Sequence, residues 1–176
     1  MMKLTLVAAT MALIAATMAL IAAALAVMAS TNAALAAPPD PRRCLAEALY
    51  FEARNQGWKG MLAVGVVAQN RVRSKAYPND ICAVVRQGRL SDGKMKLYAC
   101  QFTYWCDGKP ERPADQEAWE AASNIAAMLL STNITIEGMQ KATHYHTTTV
   151  QPRWARKWKP CRRIRQHIFY CKESGE

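Results

Sequence analysis

The 176-residue chain has no G-x-G-x-x-G and no P-loop, which removes the usual glycine-rich routes to dinucleotides and nucleoside triphosphates. No two of its cysteines stand in C-x-x-C spacing, so neither a zinc ribbon nor a thioredoxin-like redox site is written here. It also lacks an H-E-x-x-H helix, the zinc-protease signature. Negative charge is scarce: 13 acidic residues face 23 lysines and arginines, for a formal net charge of +10. A basic domain of this kind suits anionic envelope polymers or phospholipid better than nucleic acid. No linker divides the chain, so a single domain is expected.

What is present begins with grease. After Lys3 comes the uncharged run "LTLVAATMALIAATMALIAAALAVMA", which holds "AATMALI" twice in tandem, at 8–14 and 15–21. It ends in "NAALAAPPD", where Ala34 and Ala36 fit the small-x-small cleavage rule. The reading is a signal peptide over 1–36. An uncleaved anchor is the alternative, because the run is long enough to span a bilayer. Export follows either way, and membrane contact would come only through this segment. The 140 residues that remain suffice for one core. All six cysteines lie in them, and an even number in an exported chain reads as three disulfides, with fifteen possible pairings. The expected set is Cys44 with Cys82, Cys100 with Cys106, and Cys161 with Cys171.

Along the mature part, "APPDPRR" (37–43) reads as a proline-rich lead-in, and a helix follows over roughly 42–55. "GMLAVGVVAQNRVRS" is apolar almost all round until its polar end, the mark of a central buried helix. "YPND" breaks the chain and "ICAVVRQG" is a short helix or strand. Residues 88–113 read as an irregular loop with a short β element around Phe102 to Trp105. A third helix opens after Asp115 as N-cap and buries Trp119, Ala122, Ala126, Leu129 and Leu130. "THYHTTTV" and "RRIRQHIFYCK" alternate as strands do. The class is therefore α+β: a mostly helical single domain with a small β element and C-terminal antiparallel strands, ending in a tail at 172–176.

One residue breaks the pattern. In "CLAEALYFEARNQG", Leu45, Ala48, Leu49, Glu52 and Ala53 form the apolar stripe of a helix, so Glu52 is a carboxylate set in grease. Glu47 points to the other side and reads as solvated surface. Asn55, Gln56 and Gly57 read as a helix end, with Gly57 in the left-handed C′ position. Glu52 could be neutralised structurally by Arg54 or Arg71. Alternatively, desolvation would raise its pKa and make it a general acid for a glycosidic oxygen. A second constellation, His144 and His146 of "THYH" with His167, could hold zinc in a cell-wall amidase or endopeptidase. The bland alternative is that these histidines line a sugar groove. Aromatics including Tyr98, Phe102, Tyr104, Trp105, Trp154, Trp158 and Tyr170 could serve core or sugar. Asp107, in "CDG", is either a second acid or the opener of an Asx-turn. A silent peptidoglycan-binding module is the reading from outside the enzyme class.

The run from Cys44 to Gly88, with "CQFTYWCDG", the Trp119 helix, "ATHYHTTTVQPRWA" and "IRQHIFY", resembles the SleB/CwlJ-type cell-wall hydrolase family. The blocks match in order over nearly the whole mature chain, 44–171. The resemblance implies a lysozyme-like catalytic domain acting on peptidoglycan glycan strands as a lytic transglycosylase. It calls for no cofactor and no metal. A monomer without a nucleic-acid partner is expected, in the periplasm or outside the cell at the wall, and membrane-anchored if the N-terminal segment stays uncleaved. The glutamate of its E-A-R motif is the acid/base, here Glu52. Gln101, Phe102, Thr103, Tyr145, His146 and His167 are its implied substrate contacts. Two segments depart from the family pattern: "NQGWKG" after E-A-R, and Arg165–Gln166 where a glycine before the histidine is more usual.

Overall fold

Asp40 starts the first helix. Its side chain accepts a hydrogen bond from the Arg42 backbone N–H, and Pro41 occupies the first helical position, where a missing N–H costs nothing. Helix α1 (Pro41–Ala53) thus begins inside the stretch read as an unstructured lead-in. The computed structural model describes residues 37–171; the expected signal peptide (1–36) and the tail (172–176) lie outside the described residues.

A 3-10 turn (Arg54–Gln56) follows, and Gly57 then has a φ of 64° and a ψ of −173°. The φ is positive as expected, but the ψ lies outside the left-handed helical region foreseen for a C′ glycine, and the chain runs straight into α2 (Gly57–Arg73). Helix α3 (Ile81–Val85) is short, capped by Asp80 on the Ala83 N–H. Helix α4 (Gln116–Ser131) has the expected Asp115 cap. Helix α1 packs against α2, α3 and α4. Being enclosed on several sides, it buries Glu47 as well as its apolar stripe, which corrects the reading of Glu47 as solvated. The long apolar α2 is central, as expected. At Gly65 it approaches so closely that a Cβ would overlap Leu129 Cδ1. On α4, Ala122, Ala126 and Leu129 are fully buried and Trp119 half-buried, while Leu130 is exposed, one step off the face.

Two residues at the polar end of α2, Asn70 and Arg71, are buried, while Arg73 is exposed. Asn70 Nδ2 donates to Met139 O and Ala142 O, each at 2.8 Å, and Arg71 Nε donates to Thr143 O at 2.8 Å. These bonds fasten strand β3 to the helix. The stretch 88–113 is not an irregular loop. It begins with a hairpin, β1 (Gly88–Ser91) and β2 (Lys94–Cys100), turned by Asp92 (φ 53°) and Gly93 (φ 73°). Asp-Gly is the residue pair that such two-residue turns prefer. Phe102 to Trp105, expected as β, is instead the start of a 3-10 turn (Thr103–Cys106).

A second sheet has the order β3–β5–β4, all antiparallel: β3 (Ala142–Thr147), β4 (Pro160–Ile164) and β5 (His167–Cys171). The segment read as one alternating strand is two, because Ile164 pairs with His167 across a tight turn of Arg165 (φ 54°) and Gln166. That turn is clipped to the one after α1. Gln56 Nε2 donates to Gln166 Oε1 and Gln56 Oε1 accepts from the Gln166 N–H, both at 3.1 Å. The disulfides are Cys44–Cys82, Cys100–Cys106 and Cys161–Cys171, the set expected. The α+β class holds. One core of Leu45, Leu49, Val64, Val67, Phe102 and Phe169, among others, spans helices and sheet.

Candidate active site

Glu52 sits on the last turn of α1, where that helix meets the 3-10 turn at Thr103 and strand β3. Tyr145 of β3 donates its hydroxyl proton to Glu52 Oε2 at 3.0 Å. The backbone N–H groups of Thr103 and Tyr104 also donate to the carboxyl group, and Arg71 acts on it by charge. All of these favour the carboxylate, yet burial outweighs them and raises the Glu52 pKa above the ordinary glutamate value. Arg54, the other cation considered as a neutralising partner, lies over the Tyr50 ring at 4.9 Å. Burial also pushes the Tyr145 phenol well up, so its hydroxyl stays a donor.

Glu52 and Thr103 are shared by two adjoining cavities. One, of about 510 Å³, runs over Phe51 and Tyr104 towards Asp107 and Arg112. Its far wall is held by the Tyr50 hydroxyl, which accepts from the Ala114 and Asp115 N–H groups at 3.0 Å each. The other, of about 480 Å³, runs over Tyr145 and Arg71 towards the sheet and the hairpin. A carboxyl group with a raised pKa, shared by two adjoining cavities, suits cleavage of a linear polymer laid across both.

Residues 55–170 match the model of the cell wall hydrolase family, well over half the chain. The chain belongs to the cell wall hydrolase family. The match starts just after Glu52. The spore cortex-lytic enzyme of Bacillus subtilis (strain 168) is 26% identical over 127 residues, 72% of this chain. The chain spans only about a third (36%) of that relative's length. The SleB catalytic domain of Bacillus cereus is 25% identical with a TM-score of 0.52, covering 75% of this chain and 89% of that one. A solved structure titled as the catalytic domain of the germination-specific lytic transglycosylase SleB, from Bacillus anthracis, is 24% identical. Its TM-score is 0.55, with 78% of this chain and 98% of that one covered, so the fold is shared.

Within the cell wall hydrolase domain the implied contacts are placed unevenly. Gln101, Thr103, Tyr145, His146 and His167 line the sheet-side cavity with Glu52. Phe102 does not: it is fully buried, packed 5.2 Å beneath the Arg71 guanidinium, and is core rather than contact. His144 and His146 project from one face of β3, whereas His167 pairs with Thr147 and shares the other face with Tyr145. His146 has both nitrogens engaged, Nδ1 with Thr147 O at 2.8 Å and Nε2 with the Tyr170 hydroxyl at 2.9 Å. Among the described residues no group of three His, Cys, Asp or Glu side chains is placed to hold a metal ion. Burial and the neighbouring His146 lower the His167 pKa, so His167 is neutral at neutral pH. Asp107 closes the turn foreseen as its alternative, accepting from the Lys109 N–H at 2.8 Å.

Two site residues do more than the sequence reading gave them. Tyr104 stacks on Phe51 at 5.1 Å, and its hydroxyl is buried without a partner among the described residues. Arg71 was weighed only as a neutralising partner, but it also braces β3 and lines the groove. Its place at the polar end of an otherwise greasy helix was the available signal.

Proposed function

We propose that this domain cleaves the glycan strand of peptidoglycan between N-acetylmuramic acid and N-acetylglucosamine, as a lytic transglycosylase with Glu52 as its acid and base. The observation that carries this reading is the position and state of Glu52, a carboxyl group biased towards protonation where two cavities meet. Its proton passes to the bridging glycosidic oxygen and the bond to C1 breaks. The muramoyl N-acetyl group stabilises the cationic sugar. The Glu52 carboxylate then removes the C6 hydroxyl proton as that oxygen closes on C1, giving a 1,6-anhydro end. Glu52 returns protonated, and no protein nucleophile is required.

A hydrolytic route would need a second carboxyl group to activate water. Asp107, the candidate for it, is committed to its own turn, which supports the intramolecular closure. The zinc-peptidase alternative finds little support, since His146 has no nitrogen to give a metal. Digestion of purified sacculi, with mass spectrometry of the products, tests the proposal. Anhydro-muropeptides released in excess chelator are expected. Reducing-end products would leave a hydrolase, and chelator-sensitive loss of stem peptides would overturn the assignment. The expected place of action, an exported location at the cell wall, rests on the N-terminal segment and on this substrate.

A further inference from the structure

The two cavities that meet at Glu52 differ in charge. The one over Tyr104 carries both signs, with Asp107 and Glu111 facing Arg54, Lys109 and Arg112. The sheet-side cavity has no carboxylate apart from Glu52 itself, and its other charged lining residues are Arg71 and Arg89. Polar atoms there have also lost water without gaining a partner. Arg71 is only 3% exposed, donates through Nε to Thr143 O and also hydrogen-bonds the Tyr77 side chain, but its Nη1 has no acceptor among the described residues. His167, 1% exposed, has none at Nδ1. Both residues line this cavity, and leaving such groups unpaired is costly unless a ligand oxygen completes them.

The strand proposed to cross this groove alternates a neutral sugar with one that carries an acidic arm. N-acetylglucosamine brings no charge. The muramoyl sugar brings a 3-O-lactyl group, a carboxylate when bare and an amide carbonyl when a stem peptide continues from it. We infer that the sheet-side cavity is the muramoyl subsite and that Arg71 Nη1 and Arg89 read an oxygen of its lactyl arm. This rests on the glycan-strand reading of the groove and gives it a direction, with the muramoyl sugar towards β3 and the leaving N-acetylglucosamine over Tyr104. Arg71 is the buried, oriented donor, held by Thr143 O and by the rings of Tyr77 (5.4 Å) and Phe102 (5.2 Å). Arg89, exposed on β1, adds charge at the rim.

Binding measured by calorimetry on the Glu52→Gln protein tests this apart from turnover. The probes are a peptide-free GlcNAc–MurNAc tetrasaccharide, the same tetrasaccharide bearing stem peptides, and an N-acetylglucosamine tetramer. Arg71→Lys keeps the cation but removes Nη1 and the Nε bond to Thr143 O; it should weaken both muramoyl ligands about tenfold or more, and the N-acetylglucosamine tetramer reports any general loosening of β3. Arg89→Gln should weaken the bare-carboxylate ligand by a few-fold, about the worth of one exposed ion pair, and the peptide-bearing one less. Neither change should alter the N-acetylglucosamine tetramer. Equal losses on all three ligands, or none, would overturn the assignment. Should Arg71→Lys not fold, the ligand preference of Arg89→Gln decides by itself. Product analysis on the unmutated protein is scored separately, so a protein that prefers muramoyl ligands but releases no anhydro ends counts against the transglycosylase reading alone.

Discussion

Tyr145 gives its hydroxyl proton to Glu52 Oε2 over 3.0 Å, joining the end of the first helix to a strand 93 residues further on. The bond stabilises the charged form of a carboxyl group whose pKa burial raises. Tyr145→Phe removes that stabilisation, so the Glu52 pKa rises further. The alkaline limb of kcat/KM, where the acid loses its proton, should move to higher pH. A profile unmoved by the substitution would show that the hydroxyl does not tune the acid.

Glu52→Gln should lower turnover by about 10²–10⁴ or more, the usual worth of acid–base participation. Its effect on stability has a definite sign. A glutamate whose folded pKa is raised is harmless to the fold below the ordinary glutamate pKa and costs stability as pH rises from there through the folded pKa, because the unfolded chain ionises freely while the folded one resists. The amide carries no such charge. The variant should therefore melt with the parent at low pH and above it at higher pH, a gap seen by calorimetry across a pH series. A variant that melts lower at every pH would mean that Glu52 is a structural ion-pair partner.

Glu47 makes a different control from the one its sequence position suggests. It is 5% exposed and accepts from Arg43 Nε at 2.9 Å, one turn earlier on the same helix. Glu47→Gln should cost about 1–2 kcal/mol of stability, since a charge-assisted bond is weakened at a half-solvated pair. The rate on sacculi should hold once the folded fraction is matched. Denaturant melts and a turnover assay on one sample check both halves.

Among the disulfides, Cys44–Cys82 closes the longest loop, 38 residues, and ties α1 to α3. Chain-entropy reasoning gives it about 3–4 kcal/mol, more than the bridges that close 6 and 10 residues. Cys44→Ala with Cys82→Ala should lower the melting temperature more than the same change at either other pair. Equal shifts for all three would mean that packing, not loop closure, sets their worth.

Much of this was legible from residue pattern alone. The helices follow from caps and apolar spacing, and Glu52 was visible because a carboxylate breaks a stripe. Glu47 was misread because a stripe describes a helix packed on one side, and α1 is enclosed by three others. Phe102 was assigned to substrate by resemblance, but a ring in an aromatic-rich loop can equally fill the core, as it does here. The hairpin at Asp92–Gly93 had its signal in the sequence, a turn pair between short runs, obscured by the surrounding charges and glycines. Arg71 could not be assigned in full, because its bond to Thr143 spans 72 positions and no local pattern reports such a contact.

The clip between Gln56 and Gln166 makes two distant turns one unit under substitution. The residues hydrogen-bond to each other across 110 positions, side chain to side chain and side chain to backbone. Replacing Gln56 alone would leave the Gln166 amide facing a gap, while changing both would remove the need along with the partner. The turn after α1 and the turn between β4 and β5 are therefore tied physically although the sequence keeps them far apart.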